Sequence, residues 1–428
     1  MENRDRQRDR SRKAKVALFE AAGLLTGPQR IPALISRVVS DRWRTVTSGA
    51  TLYSFATTRV PTLQALDSLI EWILAAECTA GGIAAYYSLL TGYSGAYPEV
   101  TGYIIPTLFD YARAKSNLRA RQAAERCAAW LLTLQMPEGA FPAGLHQSNH
   151  PPNPSVFNTG QILQGLVRAH VEQVTGTGSQ SSLAIESAMR AGNWLVSMQD
   201  EDGSWRGTAA YQGTAHTYYT MVSWSLALLA IQSGDGRHAA AAQKNVDWVL
   251  GHICEDGWIE GINLDGHPTY LHFIAYVIQG LLETGILLRS ESAINAAAKS
   301  AWALLHKFET SKRLAGAYQD RFARGKDFVC LTGNAQMSCV WLRLFEVTGD
   351  LRYLNASLKM NEMLKEALPS RGPTGVIGGV PGSFPIWKDY QPLRLISWGA
   401  KFLADALMME INLTRRFESK LQSTECVS

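Results

Sequence analysis

Cysteine is scarce and scattered in this sequence: six in 428 residues, at Cys78, Cys127, Cys254, Cys330, Cys339 and Cys426, with no Cys-x-x-Cys pair. That spacing writes neither a disulfide framework nor a zinc site and suits the reduced thiols of a cytoplasmic protein. Long apolar runs are missing as well. Val16 to Leu25 is short and carries Glu20, so it fits neither a secretory core segment nor a spanning helix, and no other run approaches eighteen apolar residues. Charge of one sign is in short supply too, since a net +4 is small for this length and argues against nucleic acid as a partner. Much of the excess sits in Arg4, Arg6, Arg8, Arg10, Arg12, Lys13 and Lys15, interleaved with Glu2, Asp5 and Asp9. Residues 1–15 therefore read as a solvated basic arm, with contact to an anionic membrane surface as the sharper alternative. Phosphate-binding loops and a Gly-x-Ser-x-Gly nucleophile elbow are absent.

What is present is helical periodicity in two alternating kinds. One kind opens on a small polar or aromatic cluster and then turns apolar, at residues 101, 158, 216, 270, 332 and 391, about 54 to 62 residues apart. The other is amphipathic with Ala-rich and charged faces, near 62–78, 119–136, 181–199, 237–252, 291–308 and 351–367. A helix apolar on all sides is enclosed, and one with a polar stripe faces solvent. The pattern predicts an all-α (α/α)6 toroid, six helical hairpins forming an inner and an outer ring over residues 61–412. A helical extension over 16–60 precedes it and a flexible tail over 413–428 follows. Six parallel inner helices would gather their N-termini, with free N–H groups and positive dipole ends, on one mouth of the ring.

Gly-rich turns lead from outer to inner helices: Gln135-Met-Pro-Glu-Gly-Ala-Phe141, Gln199-Asp-Glu-Asp-Gly-Ser-Trp205 and Glu255-Asp-Gly-Trp258. With Arg190 upstream, the second resembles the QW repeat of triterpene cyclases, and the chain resembles the terpenoid-cyclase and prenyltransferase toroid superfamily. That resemblance implies structural roles for Gln135, Gln199, Phe141 and Trp205. Residues 80–412 also resemble toroid proteins encoded among exopolysaccharide genes, through the stretches starting at Ala96, Phe157, Cys330 and Gly382. Cyclase chemistry would need an Asp-x-Asp-Asp acid, and diphosphate ionisation an Asp-Asp-x-x-Asp metal motif; the sequence has neither. Asp327, Cys330 and His272 match no zinc spacing. We expect neither metal nor cofactor.

The predicted mouth collects polar and aromatic residues suited to sugars, whose C–H faces stack on rings and whose hydroxyls need amide, imidazole and guanidinium partners. The candidate binding set is Tyr97, Tyr103, Asn158, Gln161, His267, Asn334, Gln336, Trp387, Tyr390 and Arg394. Asn158, Asn334 and Arg394 are candidates for a carboxylate clamp. His216 and His272 are candidate bases, with Tyr218 or Tyr270 as the partner acid, in a reaction that removes the C5 proton of a uronate. Each His and Tyr also has a packing or capping reading. Glu99 serves hydrolysis as an acid, with Asp202, Asp256, Glu260 or Asp320 as a second carboxylate, or caps the helix beginning near Thr101.

The sequence thus points to a cytoplasmic enzyme of glycan assembly, a uronate C5-epimerase or lyase acting on a glycan or lipid-linked oligosaccharide. A glycoside hydrolase, an isoprenoid-handling protein and a non-catalytic glycan-binding scaffold are the alternatives. Convergence of Tyr97, Asn158, His216, His272 and Asn334 in one open pocket separates these readings.

Overall fold

The computed structural model describes residues 30–48, 60–146, 152–173, 180–207, 214–262 and 268–425. Its helices are α1 (Ile31–Ser48), α2 (Thr62–Ala75), α3 (Pro98–Lys115), α4 (Leu118–Leu132), α5 (Val156–Gln173), α6 (Gln180–Ser197), α7 (Thr220–Ser233), α8 (Gly236–Leu250), α9 (Leu271–Leu288), α10 (Glu291–Ser311), α11 (Leu331–Thr348), α12 (Leu351–Glu366) and α13 (Ser397–Glu425). The odd-numbered helices from α3 to α13 pack in sequence and close on themselves, α13 against α3, while the even-numbered helices lie outside them. This is an (α/α)6 toroid. The first outer helix, α2, packs against the last inner one, α13, so the two ends of the ring zip together.

Burial follows the alternation. In α11 every residue from Leu331 to Leu342 is buried, whereas α8 buries only His238, Ala241, Ala242, Asn245, Val246 and Val249, a stripe at helical spacing. The apolar helix α9 is long enough to cross a membrane, yet most of it is buried within the ring.

Short turns join α3, α7, α9 and α11 to the outer helices that follow them by a repeated device. The inner helix ends on a left-handed residue, Ser116, Gly234, Arg289 or Gly349, and the next residue, Asn117, Asp235, Ser290 or Asp350, is the N-cap of the outer helix. The Asn117, Asp235 and Asp350 side chains accept from the backbone N–H groups of Ala120, Arg237 and Arg352. Long connections lie at the other end, ahead of the inner helices, laced by short antiparallel ladders. Thr269–Tyr270 pairs with Ala317–Gln319, Val329–Cys330 with Ser383–Phe384, and Tyr86–Ser88 with Arg394–Ile396, the last across the closing seam.

The Thr-Gly pairs at the inner-helix starts tighten the ring. Thr101 and Thr159 accept the incoming backbone N–H groups of Ile83 and Phe141, both at 2.9 Å. A Cβ on Gly102 would lie 2.5 Å from the Ile162 Cα, and one on Gly165 only 2.3 Å from the Gly102 carbonyl. These glycines serve helix-to-helix contact. Gln135 and Gln199 are structural staples: each amide donates to the carbonyl of its own Gly-rich turn and to the next outer helix, at Ser187 and Ala241. Trp205 is buried and donates to the Leu195 carbonyl at 2.9 Å.

The helix α1 straps the outside of the seam. Arg37 donates to the Ala367 carbonyl, and the fully buried Asp41 accepts from the Ile386 backbone N–H at 2.8 Å. The last helix continues past residue 412 to Glu425.

Candidate functional site

Tyr97 is the N-cap of α3 and Glu99 lies in its first turn, placed there by the Pro98 that opens the helix. Glu99 is buried, and burial pushes its carboxyl up from near 4.5 to about 7, with the Tyr97 hydrogen bond pulling the other way. Tyr97 bonds to both Glu99 and Asn158, and burial followed by the Glu99 charge raises its phenol well above 10. Asn158 is itself fixed: its amide donates to the Pro142 carbonyl at 3.1 Å and its Oδ1 accepts from Ser155 at 3.2 Å. These three form a buried acid, phenol and amide at the N-terminal end of the inner ring. Although Glu99 complements the helix dipole, its hydrogen-bond partner is the Tyr97 phenol, which departs from a simple capping role.

One turn deeper, Tyr103 and Tyr276 hydrogen-bond to each other, and burial, the largest cause, holds both phenols well above 10, with the Glu99 charge adding to it. The His272 ring centre lies 4.1 Å from that of Tyr276 and 5.9 Å from that of Tyr390. Tyr390 accepts from the Trp398 indole at 2.9 Å and packs 5.1 Å from Tyr270. Nδ1 of His272 stands 3.0 Å from Gln336 Oε1, while the Gln336 amide donates to Gln279 at 2.8 Å. A carbonyl oxygen there assigns the imidazole proton to Nδ1 and leaves Nε2 as the lone-pair nitrogen. Burial pushes His272 down to about 3, against the raising effect of Gln336, so it is neutral.

His216 is in a different setting. It stacks on Tyr218 with ring centres 5.1 Å apart and meets Tyr219 edge-on; it is fully enclosed, and burial lowers it to about 4. Tyr218 continues this stack to Phe157, which in turn touches Tyr276. His216 and Tyr218 thus border the acid cluster through packed rings.

The remaining candidates separate. Asn334 is buried and donates to the Cys330 carbonyl at 2.7 Å within the start of its own helix. Gln161 shares the axial face of α5 between Phe157 and Gln164, and both of its buried amide atoms lack a hydrogen-bond partner among the described residues. The Arg394 guanidinium sits 4.2 Å over the Tyr86 ring and bonds to Gln391 in the closing seam. Trp387 is exposed. Tyr270 is half-buried beneath Lys326. His267 lies outside the described residues, as do His150 and the basic arm.

None of the four proposed second carboxylates partners Glu99. Asp202 pairs with Arg206 at 2.6 Å, Asp256 accepts from the Trp258 N–H, and Glu260 and Asp320 line a separate cavity of about 470 Å³. Asp327 is engaged by Arg313 and Arg324 at the surface. Among the described residues no group of three His, Cys, Asp or Glu side chains gathers to hold a metal.

The toroid superposes on proteins of known structure over most of the chain. An unsaturated glucuronyl hydrolase specific for heparin matches with a TM-score of 0.66 and 12% identity, covering 83% of this chain and 98% of that one. A cellobiose 2-epimerase from Bacillus thermoamylovorans matches at 0.65 and 10%, covering 81% and 97%. The GH76 α-mannanase of Bacteroides thetaiotaomicron matches at 0.60 and 12%, covering 84% and 98%. This chain shares their fold. At these identities the likeness is one of architecture, and none of the three is a terpenoid cyclase. No family model matches the sequence, and no curated protein matches it.

Several members of the cluster escape sequence reading. Tyr276 and Gln279 follow His272 at helical spacing, so one face of α9 carries these polar groups. The signal was the polar stripe within helices that are otherwise apolar.

Proposed function

We propose that this protein is a carbohydrate-active enzyme that works by proton transfer at the N-terminal end of its ring, with Glu99 as the acid-base group. The observation that carries this reading is a buried carboxyl held near pKa 7 by its surroundings and bonded to a phenol. A group poised near neutrality is what general acid-base catalysis requires. The rings of Tyr97 and Tyr390 and the amide of Asn158 suit a sugar, and proteins named as a glucuronyl hydrolase and as sugar epimerases use the same fold.

The substrate that fits best is a uronate-containing glycan or lipid-linked oligosaccharide of exopolysaccharide assembly, handled in the cytoplasm without a cofactor. Ionised Glu99 takes the C5 proton, and the electron pair moves into the adjacent carboxylate, where N–H donors stabilise it. Return of a proton to the opposite face gives the epimer. Departure of the 4-O substituent, protonated as it leaves, gives an unsaturated uronate instead. Neutral His272, with Nε2 free of the Gln336 bond, accepts a hydrogen bond from a substrate hydroxyl, the proton returned to the opposite face or to the leaving oxygen is drawn from water, and His216 supports the ring stack.

Hydrolysis is the second reading, because a carboxyl titrating near 7 also donates a proton to a glycosidic oxygen; the lack of a carboxylate partner for Glu99 among the described residues weighs against the two-carboxylate mechanism. Incubation with uronate-containing glycans in deuterated water tests the proposal. Deuterium at C5 marks an epimerase, absorbance of an unsaturated product a lyase, and new reducing ends alone a hydrolase. A panel that gives none of the three overturns the reading.

A further inference from the structure

A cavity bounded by described residues lies at the opposite end of the ring. It encloses about 650 Å³ among the C-terminal halves of the inner helices, with Tyr103 between it and the Glu99 cluster. That volume falls within the roughly 300–1,000 Å³ usual for small-molecule sites.

Its charges are balanced. Lys401, nearly fully buried, pairs with Asp405 at 2.8 Å and lies 4.2 Å over the Phe402 ring. Arg168 pairs with Asp110 at 2.6 Å, and Glu283 pairs with Arg343 at 3.3 Å. Asp405 also accepts from Thr107 at 2.7 Å. Each enclosed ion is thus matched, and Arg415, the lining cation without an ion pair among the described residues, is exposed, so the interior offers no unbalanced charge to capture a metal ion or a free anion.

What the cavity does leave open is a neutral donor. Gln164, 4% exposed, lines it with a buried Nε2 that has no hydrogen-bond partner among the described residues. A buried amide left unmatched costs about 1–3 kcal/mol, so a native structure normally supplies its partner. Gln279 lines the same wall, its Oε1 already occupied by Gln336, and half-buried Trp224 faces them across apolar surface from Leu228 and Met408. A flat indole in the same wall as an unmatched amide is a surface for a molecule with one apolar face and several hydroxyls.

We propose that this cavity is a second ligand site, which binds without reacting a neutral, hydroxyl-rich molecule of about sugar size. Gln164 donates to a ligand hydroxyl and Trp224 stacks on its C–H face. The inference stands independently of the role of Glu99, because Glu99 does not line this cavity; the two sites meet at Tyr103 and through the Gln279, Gln336 and His272 hydrogen bonds.

Saturation-transfer NMR with cellobiose and mannobiose at millimolar concentration tests it on the full chain, in wild type and in Gln164→Leu, Trp224→Ala and Glu99→Gln. Gln164→Leu removes the unmatched amide at similar volume, so the variant stays folded. The expected result is transfer to at least one disaccharide in wild type and in Glu99→Gln, with binding about fivefold to tenfold weaker in Gln164→Leu and Trp224→Ala. Absence of transfer to both sugars overturns the proposal. So does a signal that survives both cavity substitutions, or one lost only in Glu99→Gln, which places the sugar in the other site alone.

Discussion

The Tyr97 hydroxyl and the Glu99 carboxyl hydrogen-bond across the first turn of an inner helix, and the acid so held titrates at about 7. Two residues of sequence thus set the position of the candidate acid-base group, while burial raises its proton affinity against the pull of the Tyr97 bond.

A raised carboxyl makes stability depend on pH. Between 4.5 and 7 the folded protein keeps on Glu99 a proton that the unfolded chain has released, so stability falls as pH rises through this window and levels off above it. Two and a half pH units correspond to a loss on the order of 3 kcal/mol. Glu99→Gln, which carries no charge, is therefore expected to match wild type near pH 4 and to exceed it by up to about 3 kcal/mol at pH 8 in denaturant unfolding. Parallel stability curves for the two proteins would contradict the buried placement.

The histidines behave oppositely. His272 and His216 have affinities lowered from 6.5 to about 3 and about 4 by burial, so the unfolded chain takes up protons that the folded one refuses, and stability drops as pH falls below 6.5. Imidazole C–H resonances of the two, assigned with His272→Gln and His216→Gln, should not shift between pH 5 and 8. An inflection near 6.5 from either would refute its enclosure.

Ring closure depends on backbone contact at Gly102. An alanine there drives a methyl against the α5 backbone and is expected to cost about 2–3 kcal/mol, read as a fall in thermal midpoint. Gly236→Ala is the control: its Cβ meets open space at a helix start, and the substitution should leave stability unchanged or raise it by up to about 1 kcal/mol.

The QW-like glutamine is expected to matter for stability and not for turnover. Gln199→Ala deprives the Gly203 and Ala241 carbonyls of their bonds at 3.0 and 2.9 Å, at a cost of about 1–3 kcal/mol. Equal kcat at a temperature where both proteins are folded is the outcome expected; a large loss of kcat would assign this turn to the site.

The ring was legible because its signals are local. Apolar helices opening on Thr-Gly, and left-handed residues followed by Asn or Asp, are written in consecutive residues, and five of the six inner starts fall within four residues of those read from the sequence. The sixth was read at Gln391 but begins at Ser397. Gln391 and Leu393 adopt positive φ, and residues 394–396 pair with 86–88 from the far end of the chain, a contact that no local pattern announces. The site divides along the same line. Tyr97, Glu99 and Asn158 precede or open helices and stood out, whereas the partner of His272, Gln336, is 64 residues distant. Asn334 lies only two residues before Gln336, and rotation about the helix axis turns it to its own N-terminus.

The most direct test of the account compares proton exchange in three proteins on whichever uronate glycan wild type labels: wild type, Glu99→Gln, and the His216→Gln, His272→Gln double variant. With Glu99 as the acid-base group, C5 deuterium incorporation or elimination in Glu99→Gln falls by roughly 10²–10⁴, the wild-type rate shows an inflection near pH 7, and the double variant retains measurable exchange. Wild-type exchange in Glu99→Gln, with loss confined to the histidine variant, would contradict the account and return the proton to the imidazoles.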